Sequence, residues 1–331
     1  MCCGLTWAAV VATRLEPGVA PRRWVLGLAL AAAAAALAAP AGAAPTLTIC
    51  MAADNPPFSH LVSGQPRGLD VRIAQAAATV LGRTLVVLPF ETSYEKESAL
   101  THEINALLSS QRCDAASGFP LLAADLGPAS RPTSRTPDYP GAPRKRDRPF
   151  VPLGTLVPSR AYQAVALGVV QPVGAAPLER LTDLGERRLA TVSGTLASAV
   201  GMTWRNGLLR PRLVSLNQRE DALAELAQPA PPTGRRFEAA LVPLAMFDGW
   251  QLLHPGQPLV AAAYRRPIGI NLGFVTLDSA ADVRAALDRV IGDALADGRL
   301  ARWAADEGVS FVAPVAPEVG SGPSLLDLAA D

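Results

Sequence analysis

Histidine and cysteine, the side chains that most often carry metal or nucleophilic chemistry, are sparse in this chain of 331 residues. His60, His102 and His254 lie far apart, and none forms a His-x-x-x-His or similar metal-binding spacing. The chain also lacks the Gly-x-Ser-x-Gly turn of serine hydrolases, the phosphate-binding loop and the dinucleotide-binding glycine pattern. We therefore predict that the protein is not an enzyme and that it uses no metal or other cofactor.

The cysteines instead suggest a structural role. Cys2 and Cys3 lie in a predicted targeting segment, which leaves Cys50 and Cys113 in the mature chain. An even pair in an oxidising compartment favours a disulfide. Two buried free thiols are the alternative, because spacing in the sequence does not show whether the two Cα atoms lie within bonding reach.

The first 44 residues have the order of a secretory signal peptide. Arg22 and Arg23 precede an apolar run over residues 24–39, and a small-residue cleavage site follows at residues 41–43. The run is short for a bilayer-spanning helix, which needs about 20 apolar residues, although an uncleaved anchor is the alternative. We expect cleavage near Ala43, a periplasmic location, and no stable membrane insertion afterwards.

Overall charge points to no nucleic-acid partner, since the net charge is only +1. Seven prolines and a basic cluster occupy residues 125–152, and the cluster consists of Arg144, Lys145, Arg146 and Arg148. No aromatic side chains are interleaved with it. We interpret this stretch as a long solvated loop.

The remaining sequence alternates between apolar strand-like runs and helix-like periodicity. Strands are predicted at residues 46–51, 84–90, 113–119, 162–170, 188–192, 212–216, 237–242, 259–264 and 269–277. Helices are predicted at residues 69–81, 98–110, 196–208, 219–226 and 279–297. Repeated βα units of this kind predict an α/β fold of mixed sheets flanked by helices. Residues 314–331, rich in proline and glycine, are predicted to form a disordered tail.

Short motifs stand in a fixed order along the chain: residues 52–59 (AADNPPFS), 68–71 (GLDV), 181–184 (LTDL), 193–195 (SGT), 237–242 (FEAALV), 271–274 (NLGF) and 294–300 (ALADGRL), with Trp303. In their order and spacing they resemble the family 3 periplasmic solute-binding proteins of ABC importers, and the likeness covers about residues 47–311. The resemblance implies a two-lobed periplasmic-binding-protein fold (type II) with two crossover hinge segments. Residues 45–160 and 266–313 would form lobe 1, and residues 161–265 would form lobe 2.

Candidate ligand-binding residues follow the strands of both lobes, because ligands of open α/β sheets bind beyond the carboxyl ends of the strands. In lobe 1 they are Asp54, Asn55, Phe58, Ser59, Asp70, Gly118 and Phe119; in lobe 2 they are Ser193, Gly194 and Thr195. The last three precede a helix, whose first N–H groups could hold an anion. Helix capping is the alternative for Asp70 and for residues 193–195, and a core position is the alternative for Phe58.

Two departures from the family concern the amino-acid ligand. The family's amino-acid binders carry a Thr-rich segment and an Arg after the third strand, and an Asp at the end of a second-lobe strand. Here the segment after the third strand reads Phe119-Pro120-Leu121, and Arg131 and Arg135 come too late in the sequence to match the family's Arg. At the end of the second-lobe strand, Val242 is followed by Pro243 instead of an Asp. We therefore expect a small organic solute that is not an ordinary α-amino acid.

Three roles remain open. The first is capture of a solute for an ABC importer permease by a monomeric protein. The second follows from first-lobe residues that resemble solute-binding-like proteins associated with periplasmic PQQ-dependent alcohol dehydrogenases: Cys50, residues 55–59, residues 81–83, residues 112–114, Gly118 and Pro120. That resemblance implies an accessory protein of such a quinoprotein dehydrogenase. The third is an arogenate or prephenate dehydratase-like enzyme of this fold, with Asp54 or Asp70 as its acid.

Overall fold

The alternation of strands and helices is present in the structure, a computed structural model in which residues 44–92 and 99–329 are described. The predicted signal peptide lies outside these residues. The strands are β1 (Thr46–Ala52), β2 (Asp54–Asn55), β3 (Ser59–Val62), β4 (Gln65–Arg67), β5 (Thr84–Phe90), β6 (Ala115–Pro120), β7 (Gly127–Pro128), β8 (Thr133–Ser134), β9 (Val151–Pro152), β10 (Thr155–Pro158), β11 (Gln163–Pro172), β12 (Leu189–Val192), β13 (Leu213–Leu216), β14 (Ala239–Pro243) and β15 (Leu259–Leu277).

The helices carry the apolar faces that cover these strands. They are α1 (Leu69–Leu81), α2 (Leu100–Ser109), α3 (Leu196–Gly207), α4 (Ala222–Ala227), α5 (Leu244–Leu253), α6 (Ala281–Ala296), α7 (Arg299–Asp306) and α8 (Leu325–Ala329). Helix α1 ends as predicted, because Gly82 takes a left-handed conformation with φ of 63°. None of the described helices is long and apolar enough to cross a membrane.

One mixed sheet joins two parallel sets of strands. The order along it is β13-β12-β14-β11-β15-β6-β1-β5, and β10 and β7 extend it from β15. Within the sets, β1 is parallel to β5 and β6, and β12 is parallel to β13 and β14. The connection is antiparallel: the first part of β15 pairs with β11, and its last part pairs with β6 and β10. Residues 163–172 and 259–277 therefore carry the chain between the two sets.

Each parallel set has apolar clusters on both of its faces, as its near-continuous apolar strands predict. In the amino-terminal set, α1 and α6 pack on one face of β1 through Ile73, Leu287 and Ile291, and α2 packs on the other through Leu107. In the second set, one cluster includes Val200 and Trp204 of α3, and the other includes residues of α4 and α5.

A disulfide joins Cys50 of β1 to Cys113, just before β6, with their Cα atoms 5.7 Å apart. Both residues lie in the apolar cluster beneath α2. Of the two alternatives open from the sequence, the structure therefore has the disulfide.

The carboxyl-terminal segment differs from the prediction of a disordered tail. Leu328 is 4% exposed and lies in the cluster of α3. Val319 packs against the cluster beneath α2, and the Asn271 side chain binds backbone groups of residues 315–318. Buried polar side chains elsewhere in the chain therefore bind this segment, and its own composition did not reveal those partners.

The proline-rich stretch at residues 125–152 also differs from a solvated loop. Arg148 is 5% exposed, and its guanidinium donates hydrogen bonds to the carbonyls of Pro143 (2.7 Å) and Thr136 (2.9 Å) and to the Asp138 carboxylate. Lys145 forms an ion pair with the buried Glu103 at 3.2 Å. These two members of the basic cluster hold the loop against the protein.

Candidate functional site

Three predicted site residues, Asn55, Asp70 and Gly118 of β6, lie close together. Asn55 follows β1, and Asp70 lies in the first turn of α1. A Cβ atom at position 118 would lie 3.4 Å from Asp70 Oδ2 and 3.8 Å from Asn55 Nδ2. Gly118 also has φ of 67°, a left-handed conformation that favours glycine. Both polar side chains therefore lie close to this position, whose backbone conformation favours glycine.

Asp70 is a fully buried carboxyl group. Burial raises its pKa from 3.8 to about 7, and the nearby hydroxyls of Tyr162 and Ser117 lower it in part. Those hydroxyls face the carboxyl, but none of the three groups completes a hydrogen bond of ordinary geometry with a described residue. Burial and the charge of Asp70 likewise raise the pKa of Tyr162 well above its ordinary value. The Tyr162–Asp70–Ser117 group is thus a polar layer beneath Gly118 whose hydrogen bonds are incomplete.

The other lobe 1 candidates are divided between the core and the surface. Phe58 and Phe119 are 3% and 1% exposed and belong to apolar clusters. Ser59 is buried, and its hydroxyl donates to the carbonyl of Ala52 at 2.9 Å. Asp54 is exposed and pairs with His60 in the β2–β3 hairpin. Asn55 and Gly118 are therefore the lobe 1 candidates that combine polar groups with some exposure and a common location.

The lobe 2 candidates form an exposed turn between β12 and α3. Thr195 is the N-cap of α3: its Oγ1 accepts a hydrogen bond from Ser198 N–H and donates one to Val192 O. Ser193 Oγ lies 2.7 Å from Ser215 Oγ at the neighbouring strand. Gly194 has φ of 80°. The capping role is thus present for Thr195, and residues 193 and 194 contribute polar groups at the carboxyl end of β12.

A small cavity lies where the two sets of strands meet. It measures about 30 Å³ and is lined by Phe58, residues 163–166, residues 243–245 and Leu272. One water molecule needs about 10–15 Å³ of such space, so the cavity has room for about two waters at most. Its lining contains no charged side chain, and the amide of Gln163 is bonded to Ser310 and Val312. Pro243 contributes to this apolar wall.

A wider pocket lies beyond the carboxyl ends of β1 and β5. Its volume is about 260 Å³, and it is lined by Ala53, Leu61, Pro89, Phe90, Glu91, Asp138, Tyr139 and Pro140. Its walls are mostly apolar or aromatic, with two carboxylates, one of which is paired with Arg148. This pocket was not predicted, because Asp138 and Tyr139 come from the stretch that we interpreted as a solvated loop. The position of Glu91 directly after the apolar run at residues 84–90 was an available signal.

Helix α5 packs on the second set of strands and contacts two segments outside that set, at Pro56 and at Ser310. The carboxylate of Asp248 accepts hydrogen bonds from Ser310 N–H and Oγ, both at 2.7 Å. Burial raises the Asp248 pKa, and the Ser310 bonds and the charge of Arg265 lower it in part. A Cβ atom on Gly249 would lie 2.5 Å from the carbonyl oxygen of Pro56. The backbone at Gly249 therefore packs directly against the backbone at Pro56, with no side chain between them.

His102 and Ser130 form the contact in the described residues that is nearest to a catalytic pair. His102 Nε2 lies 2.9 Å from Ser130 Oγ. Asp125 accepts a hydrogen bond from Thr101 at 3.0 Å, and His102 Nδ1 has no partner among the described residues. The third member of a Ser-His-Asp arrangement is therefore not in place. The described residues also contain no group of three or more potential metal ligands.

Comparison with known proteins identifies the fold and no closer relationship. No protein-family model matches the chain, and no curated protein sequence matches it. Among solved structures, the chain is similar to substrate-binding domain 2 of Lactococcus lactis GlnP (16% identity, 82% of this chain and 100% of that chain, TM-score 0.55). It is also similar to the L-cystine solute receptor of Neisseria gonorrhoeae (16%, 81% and 94%, 0.53) and to an ancestral cyclohexadienyl dehydratase (16%, 80% and 92%, 0.51).

Proposed function

We propose that this chain is an extracytoplasmic solute-binding protein that captures a small, partly apolar organic molecule between its lobes for an ABC importer. It has the two-lobed α/β fold of periplasmic binding proteins, with a mixed sheet flanked by helices. We further propose residues 45–160 and 266–313 as lobe 1, residues 161–265 as lobe 2, and the crossings near residues 160 and 265 as the hinge. Secretion through cleavage near Ala43 belongs to the same proposal.

One observation carries this proposal: polar groups follow the carboxyl ends of strands in both halves of the fold. In one half Asn55 follows β1 and Gly118 lies near the carboxyl end of β6, and in the other the exposed turn at residues 193–195 follows β12. Binding sites of open α/β sheets lie at such strand ends. The 260 Å³ pocket at β1 and β5 adds apolar walls on the same side.

The residues that replace the amino-acid clamp support a different class of solute. Leu121, after β6, is fully buried, and Pro243 lines an apolar cavity. Arg135 lies 4.4 Å from the Phe150 ring centroid, in a cation–π contact, and not beside Gly118. A zwitterion leaving water needs a partner for each charge. The proposed solute is therefore a molecule with a single polar end.

The test is a thermal-shift screen of small organic acids, alcohols and amines, followed by calorimetry on each hit. A ligand at 100 times its dissociation constant adds about 2.7 kcal/mol of stability. We expect Asn55→Ala and Ser193→Ala to weaken binding of a hit about tenfold or more, and Gln228→Ala, an exposed change elsewhere, to leave it unchanged. A hit whose affinity none of the site variants alters would contradict the proposed site.

A dehydratase role is the enzymatic alternative, favoured by the fold of one solved structure and by the pKa of Asp70 near neutrality. Against it, Asp70 is fully buried beneath Gly118, where a substrate could not reach its carboxyl. Incubation with prephenate, followed by assay for phenylpyruvate, separates catalysis from binding. We expect no turnover.

The accessory role beside a quinoprotein dehydrogenase differs from the importer role in the partner protein. The Cys50–Cys113 disulfide includes two of the residues on which that resemblance rests. Affinity capture with the purified protein as bait distinguishes the roles: recovery of a permease supports the importer, and recovery of a dehydrogenase supports the accessory role.

A further inference from the structure

The chain beyond α7 runs across the junction between the two halves. We call residues 312–329 the C-terminal strap. Its first contacts are with β11: Ala164 N–H donates to Val312 O at 2.9 Å, and Val312 N–H donates to Gln163 Oε1 at 3.4 Å. The strap therefore begins on one of the two strands that connect the halves.

Asn271 of β15, the other connecting strand, holds the next part of the strap. Its side chain is 1% exposed. Its Nδ2 donates to the carbonyls of Val315 (2.8 Å) and Glu318 (2.9 Å), and its Oδ1 accepts from Val315 N–H (3.0 Å). One buried amide thus replaces the backbone partners that this irregular segment lacks.

The strap is then attached to the amino-terminal half. Gly320 N–H donates to Leu121 O at 3.0 Å, and Gly320 O accepts from Ala123 N–H at 2.9 Å. Val319 packs in the same apolar cluster as Leu121. Leu121 directly follows β6, the strand that contains Gly118. The strap is therefore attached three residues after Gly118 of the lobe 1 candidate site.

The far end of the strap is attached to the other half. Leu328 of α8 lies in the same apolar cluster as Val200 and Trp204 of α3, the helix that follows the turn at residues 193–195. Arg266 is 8% exposed, and its Nη2 donates to the carbonyls of Asp327 (2.8 Å) and Leu328 (3.0 Å). Among the described side chains of α8, Leu328 is buried in this apolar cluster, and the Arg266 guanidinium binds two carbonyls of the helix.

We propose that the C-terminal strap restrains the relative motion of the two lobes, and that α8 is its releasable end. The strap joins the segment after β6 to α3, so the lobes cannot separate or rotate freely while both attachments hold. Helix α8 has five residues, and helices this short do not persist in water without tertiary contacts. That the strap regulates solute access rests on the function proposed above. That the strap restrains the motion of the lobes does not rest on it.

The test measures the distance between the lobes in ligand-free protein by pulsed electron paramagnetic resonance. Spin labels are attached at Ala224→Cys on α4 and Ala305→Cys on α7, both exposed. We expect Leu328→Ala to broaden or shift the distance distribution. The matched control is Leu326→Ala on the same helix, because Leu326 is 83% exposed, and it should leave the distribution unchanged.

A second variant releases α8 without altering the core of lobe 2. Asp327 Oδ2 accepts hydrogen bonds from Ser324 N–H (2.9 Å) and Oγ (2.6 Å) at the start of the helix, so Asp327→Ala removes these caps. Hydrogen exchange at residues 325–329 reports whether α8 is detached. A distance distribution equal to wild type in a folded variant with detached α8 would overturn the proposal. Because no ligand is present, the result does not depend on whether the protein binds a solute.

Discussion

Asp70 is a fully buried carboxyl group that lies beside Gly118, a residue of the proposed site. Its carboxyl has no complete hydrogen bond with a described residue, so ionising it within the protein has no full compensation. Its pKa therefore rises towards neutrality. Such shifts concentrate at functional sites, and this group lies directly beneath Gly118 and near Asn55.

The Asp70 shift predicts a pH-dependent effect of Asp70→Asn. The folded-state pKa of about 7 exceeds the ordinary value of 3.8, so the wild-type protein loses stability as pH rises from about 4 to about 7. Asparagine does not titrate. The stability of the variant relative to wild type should therefore increase from pH 5 to pH 8, as measured by chemical denaturation at both values. A difference that is constant between the two pH values would show that Asp70 titrates normally.

Arg148 carries a second prediction at the residue scale. Its guanidinium is buried and binds two carbonyls and a carboxylate of residues 136–143. Replacing it with methionine leaves those acceptors unpaired, which costs about 1–3 kcal/mol for each buried group. We expect Arg148→Met to destabilise the protein and to expose residues 127–152 to limited proteolysis. Arg146→Met is the control, since Arg146 is largely exposed; equal cleavage of both variants would contradict the role of Arg148.

At the scale of elements, the disulfide connects β1 to the segment before β6. It closes a loop of 63 residues, and the chain-entropy relation gives about 4 kcal/mol for a loop of this length. The double variant Cys50→Ala/Cys113→Ala should lose roughly this amount in urea denaturation. Titration of non-reduced, unfolded wild-type protein should find no free thiol from this pair. Two free thiols would rule the bond out.

Element boundaries were predictable where local signals agreed. Apolar periodicity and Gly82 gave α1, and the apolar run at residues 84–90 gave β5. The β3–β4 hairpin was not predicted. Ser63 and Gly64 form its two-residue turn, and both have the positive φ of a type I′ turn. Its apolar residues are few, so no strand periodicity marked it.

The candidate site was only partly predictable for a different reason. Asn55, Asp70 and Gly118 were found because each lies at a strand end or helix start. Glu91, Tyr139 and the partners of the strap were not found, because their roles depend on contacts between segments distant in sequence. Asn271 and Arg266 illustrate this: each looks like an ordinary strand residue until residues 315–328 are placed against it.

At the scale of the whole molecule, the cavity where the proposed lobes meet has no charged side chain in its lining, which predicts weak binding of ordinary amino acids. None of the twenty standard amino acids should raise the melting temperature at millimolar concentration, because no pair of opposite charges faces the junction cavity. Thermal-shift measurement checks this, with the organic solutes of the screen above as the comparison. Micromolar binding of any standard amino acid by calorimetry would show that the charged clamp lies elsewhere than expected, and Arg131 and Arg135 would be the first residues to replace.

The position of Leu328 in the cluster of α3 has a consequence for the order in which the protein folds. Trp204, its neighbour in that cluster, is made 124 residues earlier. Until α8 follows, the cluster lacks the Leu328 side chain, and Arg266 lacks the carbonyls of α8. The middle of the chain therefore reaches its final structure only after residues 325–329 are present.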